Sequence, residues 1–518
     1  MIPPLRRSIP PPGIGKDYNK KVTNTATKTG PRIGFVSLGC PKNLVDSEVM
    51  MGMLDQAGAQ LTHTPEEAEV LVVNTCSFID SAKQESVDTI LEMVRHKTAG
   101  TAKRVIVAGC LVERYRDEIQ KNIPEVDAVV GTGELDAILA AAGLVPAQQA
   151  ASPFPILKQS DLIERAPSAV NTHSRPEGDL REQQGRFDRG EWVGAIATLP
   201  NYLYNDETPR LLTTPRSSAY IKIAEGCDHP CGFCIIPQLR GKFRSRRFAS
   251  VVAEAEQLVR QGVREITLIG QDTTCYGEDL GMKDGLADLL DALARIEGLT
   301  WLRFLYAYPN KVTTRLLETM ARHDNIAKYL DVPLQHASAS VLKRMKRGGS
   351  GEIFLKMIEK ARRIVPDLVV RTTFIVGFPG ETAEEFAELE AFVQAAKLDW
   401  MGAFSYSDEE GSAAHRLEAK VPKRTIEARR RRLMKVQQAI SAERQAKWVG
   451  RRMRLLVEGV SEESDLLWQG RTLLHAPEID GKVLINDFGP HQTLKPGDFY
   501  ECEITESHHY DVVARIVA

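Results

Sequence analysis

Eight cysteines occur in this chain of 518 residues, at positions 40, 76, 110, 227, 231, 234, 275 and 502, and six of them fall into two groups of three. The compact group lies in EGCDHPCGFCIIPQLRG, where Cys227, Cys231 and Cys234 are spaced C-x3-C-x2-C. Thiolates are soft ligands that suit zinc and iron–sulfur clusters. A structural zinc site closes four ligands, often as two C-x2-C pairs. Here three cysteines stand together with no fourth nearby, and His229 inside the loop is the one alternative ligand. A 4Fe–4S cluster on three thiolates keeps one iron open for a chelating small molecule.

The dispersed group is Cys40, Cys76 and Cys110, far outside any local metal motif. Each ends an apolar run, FVSLGC, LVVNTC or VIVAGC. Parallel strands put such ends on one edge of a sheet, where open α/β folds bind ligands. Neighbouring strands lie about 5 Å apart, so three cysteines there can converge on one cluster. The competing reading is three small buried residues, since free Cys packs well. Cys275 in QDTTCYG is expected near the active site but without a partner, Cys502 in FYECEI as barrel core, and both read as structural.

The elements that must position these groups are legible as apolar texture. Residues 1–31 are rich in Pro, Lys, Thr and Gly and read as a disordered leader. From residue 32 to 148, short β-branched runs alternate with helix-like stretches, the pattern of βαβ units around a buried parallel sheet. Residues 149–212 are polar and Pro-containing and read as a linker or insertion. Residues 213–446 hold six further βα units, from AYIKIAEG to WMGAFSYS, which predict a full or partial β/α barrel closed by a charged helix from Lys423. Residues 447–518 change to five short period-two runs without helices, the signature of a small all-β barrel. The fold class is therefore α/β and multidomain.

The C-x3-C-x2-C loop, with Phe233 before its last cysteine, resembles the signature of the radical S-adenosylmethionine (SAM) superfamily. There the open iron is chelated by the amino and carboxylate groups of SAM, whose reductive cleavage yields a hydrogen-abstracting radical. Glycines at strand ends allow close approach of a ligand. Gly270 and Gln271 in LIGQD, and Gly377, Gly380 and Glu381 in FIVGFPGET, are accordingly the candidate SAM contacts, with ordinary turn chemistry as the competing reading.

The whole arrangement resembles the methylthiotransferases, which join an N-terminal domain with three dispersed cysteines, a radical SAM barrel and a C-terminal TRAM barrel. SLGCPKNLVDSE, YIKIAEGCDHPCGFCIIPQLRGKFRSR, GQDTTCYG and DVPLQHAS resemble the branch that modifies a ribosomal protein. The resemblance implies two 4Fe–4S clusters, an auxiliary one on Cys40, Cys76 and Cys110 and the radical SAM one on Cys227, Cys231 and Cys234. It implies SAM as co-substrate and, as acceptor, the β carbon of an aspartate in the twelfth small-subunit ribosomal protein. It also implies an electron donor and a sulfur donor. No catalytic residue beyond the cluster ligands is assigned.

Charge bears on the partner. The chain carries a formal net charge of −2, so no global field draws it to nucleic acid or anionic lipid. From Lys447 onward, 8 Lys and Arg stand against 12 Asp and Glu. A barrel that grips RNA should be basic, and an acidic one suits a basic ribosomal protein. Nucleic acid is not the expected substrate, although a tRNA methylthiotransferase and a zinc- and RNA-binding protein are the two alternatives. The basic run RGKFRSRR (240–247) reads either as a phosphate or carboxylate contact or as a solvated loop, and EARRRRLMK as a solvated or interdomain face. No apolar run is long enough to span a membrane and no secretory h-region follows the N-terminal arginines, so a cytoplasmic protein is expected.

Overall fold

The computed structural model describes residues 29–144 and 199–518. The leader at 1–28 and most of the expected insertion, 145–198, lie outside the described residues.

The first unit is a five-stranded parallel sheet of β1 (Arg32–Ser37), β2 (Gln60–Thr62), β3 (Val70–Thr75), β4 (Arg104–Gly109) and β5 (Ala128–Val130), ordered β2-β1-β3-β4-β5. β3 is buried along its whole length, which is why VLVV reads as a continuous apolar run. Helices Pro41–Gln56, Asp80–Thr98 and Cys110–Asn122 follow β1, β3 and β4. Pro41 occupies the first turn of its helix, where a missing N–H costs nothing.

The second unit carries β6 (Ser218–Lys222), a small antiparallel pair β7 (Ala224–Glu225) and β8 (Arg244–Ser245), then β9 (Glu265–Ile269), β10 (Trp301–Phe304), β11 (Tyr329–Asp331), β12 (Val369–Val376) and β13 (Trp400–Ser405). Two parallel three-stranded sheets, β10-β9-β6 and β11-β12-β13, meet at a seam. The seam is stitched by a bridge between Leu302 and Ile326 and by the Ala307 N–H donating to the Asp331 carbonyl at 2.9 Å. The six expected strands thus form an arc, a partial barrel lined by one core of Ile221, Leu268, Leu302, Leu330, Val370 and their neighbours.

A closed barrel ends the chain: β14 (Arg452–Ser461), β15 (Ser464–Thr472), β16 (Val483–Asp487), β17 (Phe499–Ser507) and β18 (Val512–Ile516), ordered β14-β15-β16-β18-β17. Cys502 is fully buried within it, as expected of a core residue. This barrel docks under the strand starts of the larger one. Arg471 pairs with Glu265 and reaches Ser218, Asp480 accepts from the Tyr329 hydroxyl at 2.6 Å, and the Leu473 carbonyl accepts from Arg303 at 3.0 Å. It therefore seals the N-terminal end of the arc and leaves the C-terminal end, where β/α barrels keep their chemistry, to the first unit.

The described end of the expected linker is held rather than free. Arg210 pairs with Glu48 of the first unit and Glu254 of the second, both at 2.6 Å, and Tyr204 is 3% exposed beneath Arg246.

Candidate functional site

Strands β1, β3 and β4 are neighbours, and their register pairs Ser37 with Asn74 and Thr75 with Gly109. The residues that follow each strand, leading to Cys40, Cys76 and Cys110, therefore leave the sheet on one edge. Two of the turns require glycine. Gly39 and Gly109 have φ of 92° and 93°, and a Cβ would stand 2.8 Å from Cys76 Cβ at the first and 2.2 Å from Asn74 Oδ1 at the second. Gly109→Ala is expected to lower stability by about 1–3 kcal/mol, measured by denaturant unfolding of the apoprotein, because strain and overlap add at that position.

Side-chain hydrogen bonds fix the edge further. Asn43 donates to the carbonyls of Leu38 at 2.9 Å and Thr75 at 2.8 Å, and Ser86 Oγ both accepts from Cys76 N at 3.1 Å and donates to its carbonyl at 2.8 Å. Burial and the neighbouring thiols push the Cys76 thiol up to about 12 and, with burial the larger cause again, the Cys110 thiol up to about 11. Such thiols ionise only against a compensating positive charge, which a cluster's irons provide.

The compact group lies in the loop after β7, against the C-terminal end of the arc. Its backbone is braced by Gly232 N–H to the Met345 carbonyl at 2.8 Å and Cys234 N–H to the Cys231 carbonyl at 3.1 Å. Phe233 packs into the small cluster of Val341, Met345 and Phe378. Burial, with the other thiols adding to it, pushes Cys227 up to about 11 and Cys234 up to about 12. Arg347 donates to Cys231 Sγ at 3.4 Å.

His229, the alternative ligand, is engaged elsewhere. Its Nε2 lies 2.6 Å from Asp272 Oδ2 and its ring stacks on Tyr308 at 3.8 Å. Cys275, read as lacking a partner, donates to the same Asp272 oxygen at 3.1 Å. The expectation that it has no partner is corrected: it belongs to a His229–Asp272–Cys275 group beside the loop. Both three-thiol groups thus offer soft donors, half-buried except for the buried Cys110, without a carboxylate among them, a set that fits iron–sulfur clusters.

The candidate SAM contacts divide. Gln271 Nε2 donates to Glu225 at 2.7 Å while its buried Oε1 has no protein donor, so an acceptor stands ready for a ligand's amino group. Gly270 shows only ordinary spacing around a notional Cβ. At Gly377, Ile426 of helix Lys423–Ala446 fills the place of a side chain, and Glu381 accepts from Gly377 N at 2.8 Å and pairs with Arg429 at 2.6 Å. The last two tie β12 to the long helix.

The basic run is neither a solvated loop nor a phosphate site at its key position. Arg240 is 2% exposed, donating to Asp46 at 2.6 Å, to Asn43 Oδ1 at 2.5 Å and to Glu225 at 3.3 Å. Lys222 Nζ meets the same two carboxylates at 2.5 Å each. Arg246 is likewise buried on Glu254. A two-cation, two-carboxylate lock therefore joins the dispersed-cysteine edge to the barrel. Sequence reasoning missed it, although a lysine inside the apolar run AYIKIA was its visible trace.

Comparison with known proteins fits this architecture. Residues 32–131 match the family described as uncharacterized protein family UPF0004, 221–393 the radical SAM superfamily and 449–517 the TRAM domain. These three parts, in this order around two groups of three thiols, define a SAM-dependent methylthiotransferase. The chain is 65% identical over 487 residues to the ribosomal protein uS12 methylthiotransferase RimO of Koribacter versatilis (strain Ellin345), covering 94% of this chain and 96% of that protein. The same-named protein of Solibacter usitatus (strain Ellin6076) is 56% identical, over 94% of this chain and 95% of its own. That of Trichlorobacter lovleyi (strain ATCC BAA-1151 / DSM 17278 / SZ) is 42% identical, over 94% and 98%. The chain belongs to the ribosomal protein uS12 methylthiotransferase family. SAM and an iron–sulfur cluster come with that membership. No described helix is long and apolar enough to cross a membrane.

Proposed function

We propose that this enzyme attaches a methylthio group to the β carbon of an aspartate in ribosomal protein uS12, acting in the cytoplasm. Cys227, Cys231 and Cys234 hold one 4Fe–4S cluster and Cys40, Cys76 and Cys110 a second. Residues 32–148, 213–446 and 447–518 are the three working units, and 149–212 the connection between them. When bound, SAM and the clusters supply reductive bond cleavage and the sulfur; electrons and sulfur reach them from donors outside the chain. The chain's own residues do the positioning. Gln271 offers its free carbonyl oxygen to SAM, and Arg240 holds the two thiol groups in one geometry.

The observation that supports the reading is that one buried lock ties the helix after Cys40 to the strand that leads into the compact group. Arg240 binds Asn43 and Asp46, three and six positions after Cys40, and Glu225, two positions before Cys227, which Gln271 also meets. The shared name of the relatives supports uS12 as acceptor over tRNA. So does the terminal barrel, whose arginines pair with its own or the larger barrel's carboxylates (Arg454 with Glu501, Arg471 with Glu265). They are not gathered for phosphate.

Anaerobic reconstitution is expected to give about eight irons per chain, four per cluster. Mass spectrometry after incubation with SAM, reductant, uS12 and tRNA is expected to find the methylthio group on uS12. Methylthiolation of tRNA alone overturns the assignment, and zinc without iron overturns the chemistry.

A further inference from the structure

Resting on that proposed function, we infer that Lys42 is the residue that grips the carboxylate of the substrate aspartate and so selects an acidic acceptor. Lys42 stands two positions after Cys40, in the first turn of helix Pro41–Gln56, and is 8% exposed. Its ammonium lies 3.1 Å above the ring of Tyr306, which extends from the end of β10. It therefore occupies the boundary between the dispersed-cysteine edge and the mouth of the barrel, where an acceptor has to reach both thiol groups.

The other buried cations of this region have anionic partners. Lys222 and Arg240 share Asp46 and Glu225, and the half-buried Arg371 has Asp331. Lys42 makes no ion pair among the described residues and rests on an aromatic face alone. A cation withdrawn from water against a ring recovers only part of its hydration. One positive charge is left without a carboxylate at the place where the substrate brings one.

The platform under the ammonium is also built at a cost. Tyr306 has φ of 65°, a left-handed conformation that bulky residues rarely adopt. It is held there because its N–H donates to Asp331 at 2.9 Å and its carbonyl accepts from Thr273 N–H at 3.1 Å. Backbone strain sustained by partners on two other strand ends marks a place whose geometry serves function. The chemistry agrees, because the β carbon of aspartate is bonded directly to its carboxyl carbon. A grip on the carboxylate therefore fixes the reacting carbon within one bond, whereas an adenine ring offers Lys42 no anion.

The test uses anaerobically reconstituted full-length enzyme and two synthetic peptides, one spanning the modified aspartate of uS12 and one with asparagine in its place. Wild-type enzyme is expected to bind the aspartate peptide at least tenfold more tightly than the asparagine peptide. In Lys42→Met, which keeps the stem and removes the charge, the two peptides should bind alike, and Lys42→Arg should restore a preference for aspartate. Iron content and the electron paramagnetic resonance signals of both clusters should match wild type. An undiminished aspartate preference in Lys42→Met overturns the inference, as does an altered cluster signal with unchanged peptide binding, which would make Lys42 a counterion of the cluster. A wild-type enzyme that leaves the aspartate peptide unmodified overturns the substrate assignment and this inference with it.

Discussion

Arg240→Met is expected to destabilise the protein by about 3–5 kcal/mol, the cost of breaking a buried ion pair by removing one partner. The variant leaves Asp46 and Glu225, both under 4% exposed, with only Lys222 between them. Arg240→Lys should recover little, since a single ammonium cannot reach Asp46 and Asn43 with the two arms that the guanidinium uses. Asp46→Asn added to Arg240→Met should recover part of the loss by removing the surplus charge, a coupling that a double-mutant cycle reads directly. The lock also sets an acid limit. Although burial alone would raise it, Lys222 and Arg240 hold the Glu225 carboxyl down at about 2. A depressed carboxylate stabilises the fold above its unfolded pKa, near 4.3, and that contribution is lost as pH falls from there toward 2. Unfolding of the wild-type apoprotein should steepen across that interval more than that of Glu225→Gln. Equal slopes, or a loss below 1 kcal/mol in Arg240→Met, would show that the two units hold together without this contact.

The lock was hidden in the sequence for a physical reason. Asp46 and Lys222 are 176 positions apart, so the lysine inside the apolar run AYIKIA signals a buried charge without naming its partner, and nothing local in NLVDSE marks Asp46 as that partner. RGKFRSRR left a phosphate or carboxylate contact and a solvated loop both open, because a run of like charges is normally solvated, and the structure takes the carboxylate branch, with Arg240 and Arg246 turned inward to separate carboxylates. By contrast, the six parallel strands of the arc were legible as apolar and β-branched runs between helix-like stretches, β9 the most plainly because it is buried along its whole length. The edge strand β2 was not, because QLT is three residues long with its side chains at least partly exposed. The cysteine groups were visible for two different reasons. The compact one has a local spacing, and the dispersed one shares a position at the ends of three strands whose adjacency the sheet order supplies. The SAM contacts were legible only as glycines and polar residues at strand ends. That signal does not separate Gln271, with a free acceptor, from Glu381, whose carboxylate is already committed to Arg429 and Gly377.

The two thiol groups should separate when each is broken. Cys231→Ala is expected to abolish reductive cleavage of SAM, and with it all methylthiolation. Cys76→Ala is expected to keep cleavage while uS12 gains no methylthio group, because the compact group and Gln271 are untouched. Each variant should lose about four irons per chain. Both loops have backbone support that does not pass through the sulfur. Cys76 is held by its backbone to Ser86, and the loop around Cys231 by Gly232 to Met345 and Ala414. Circular dichroism of both variants should therefore match wild type, which makes lost activity a statement about ligation rather than folding. Methylthiolated uS12 from Cys76→Ala would remove that residue from the reaction. Loss of SAM cleavage in the same variant would mean that the dispersed group is required before cleavage begins. The distinction can be read because the two sets stand on separate elements, one on a sheet edge and one on a barrel loop, with a salt bridge rather than a shared ligand between them.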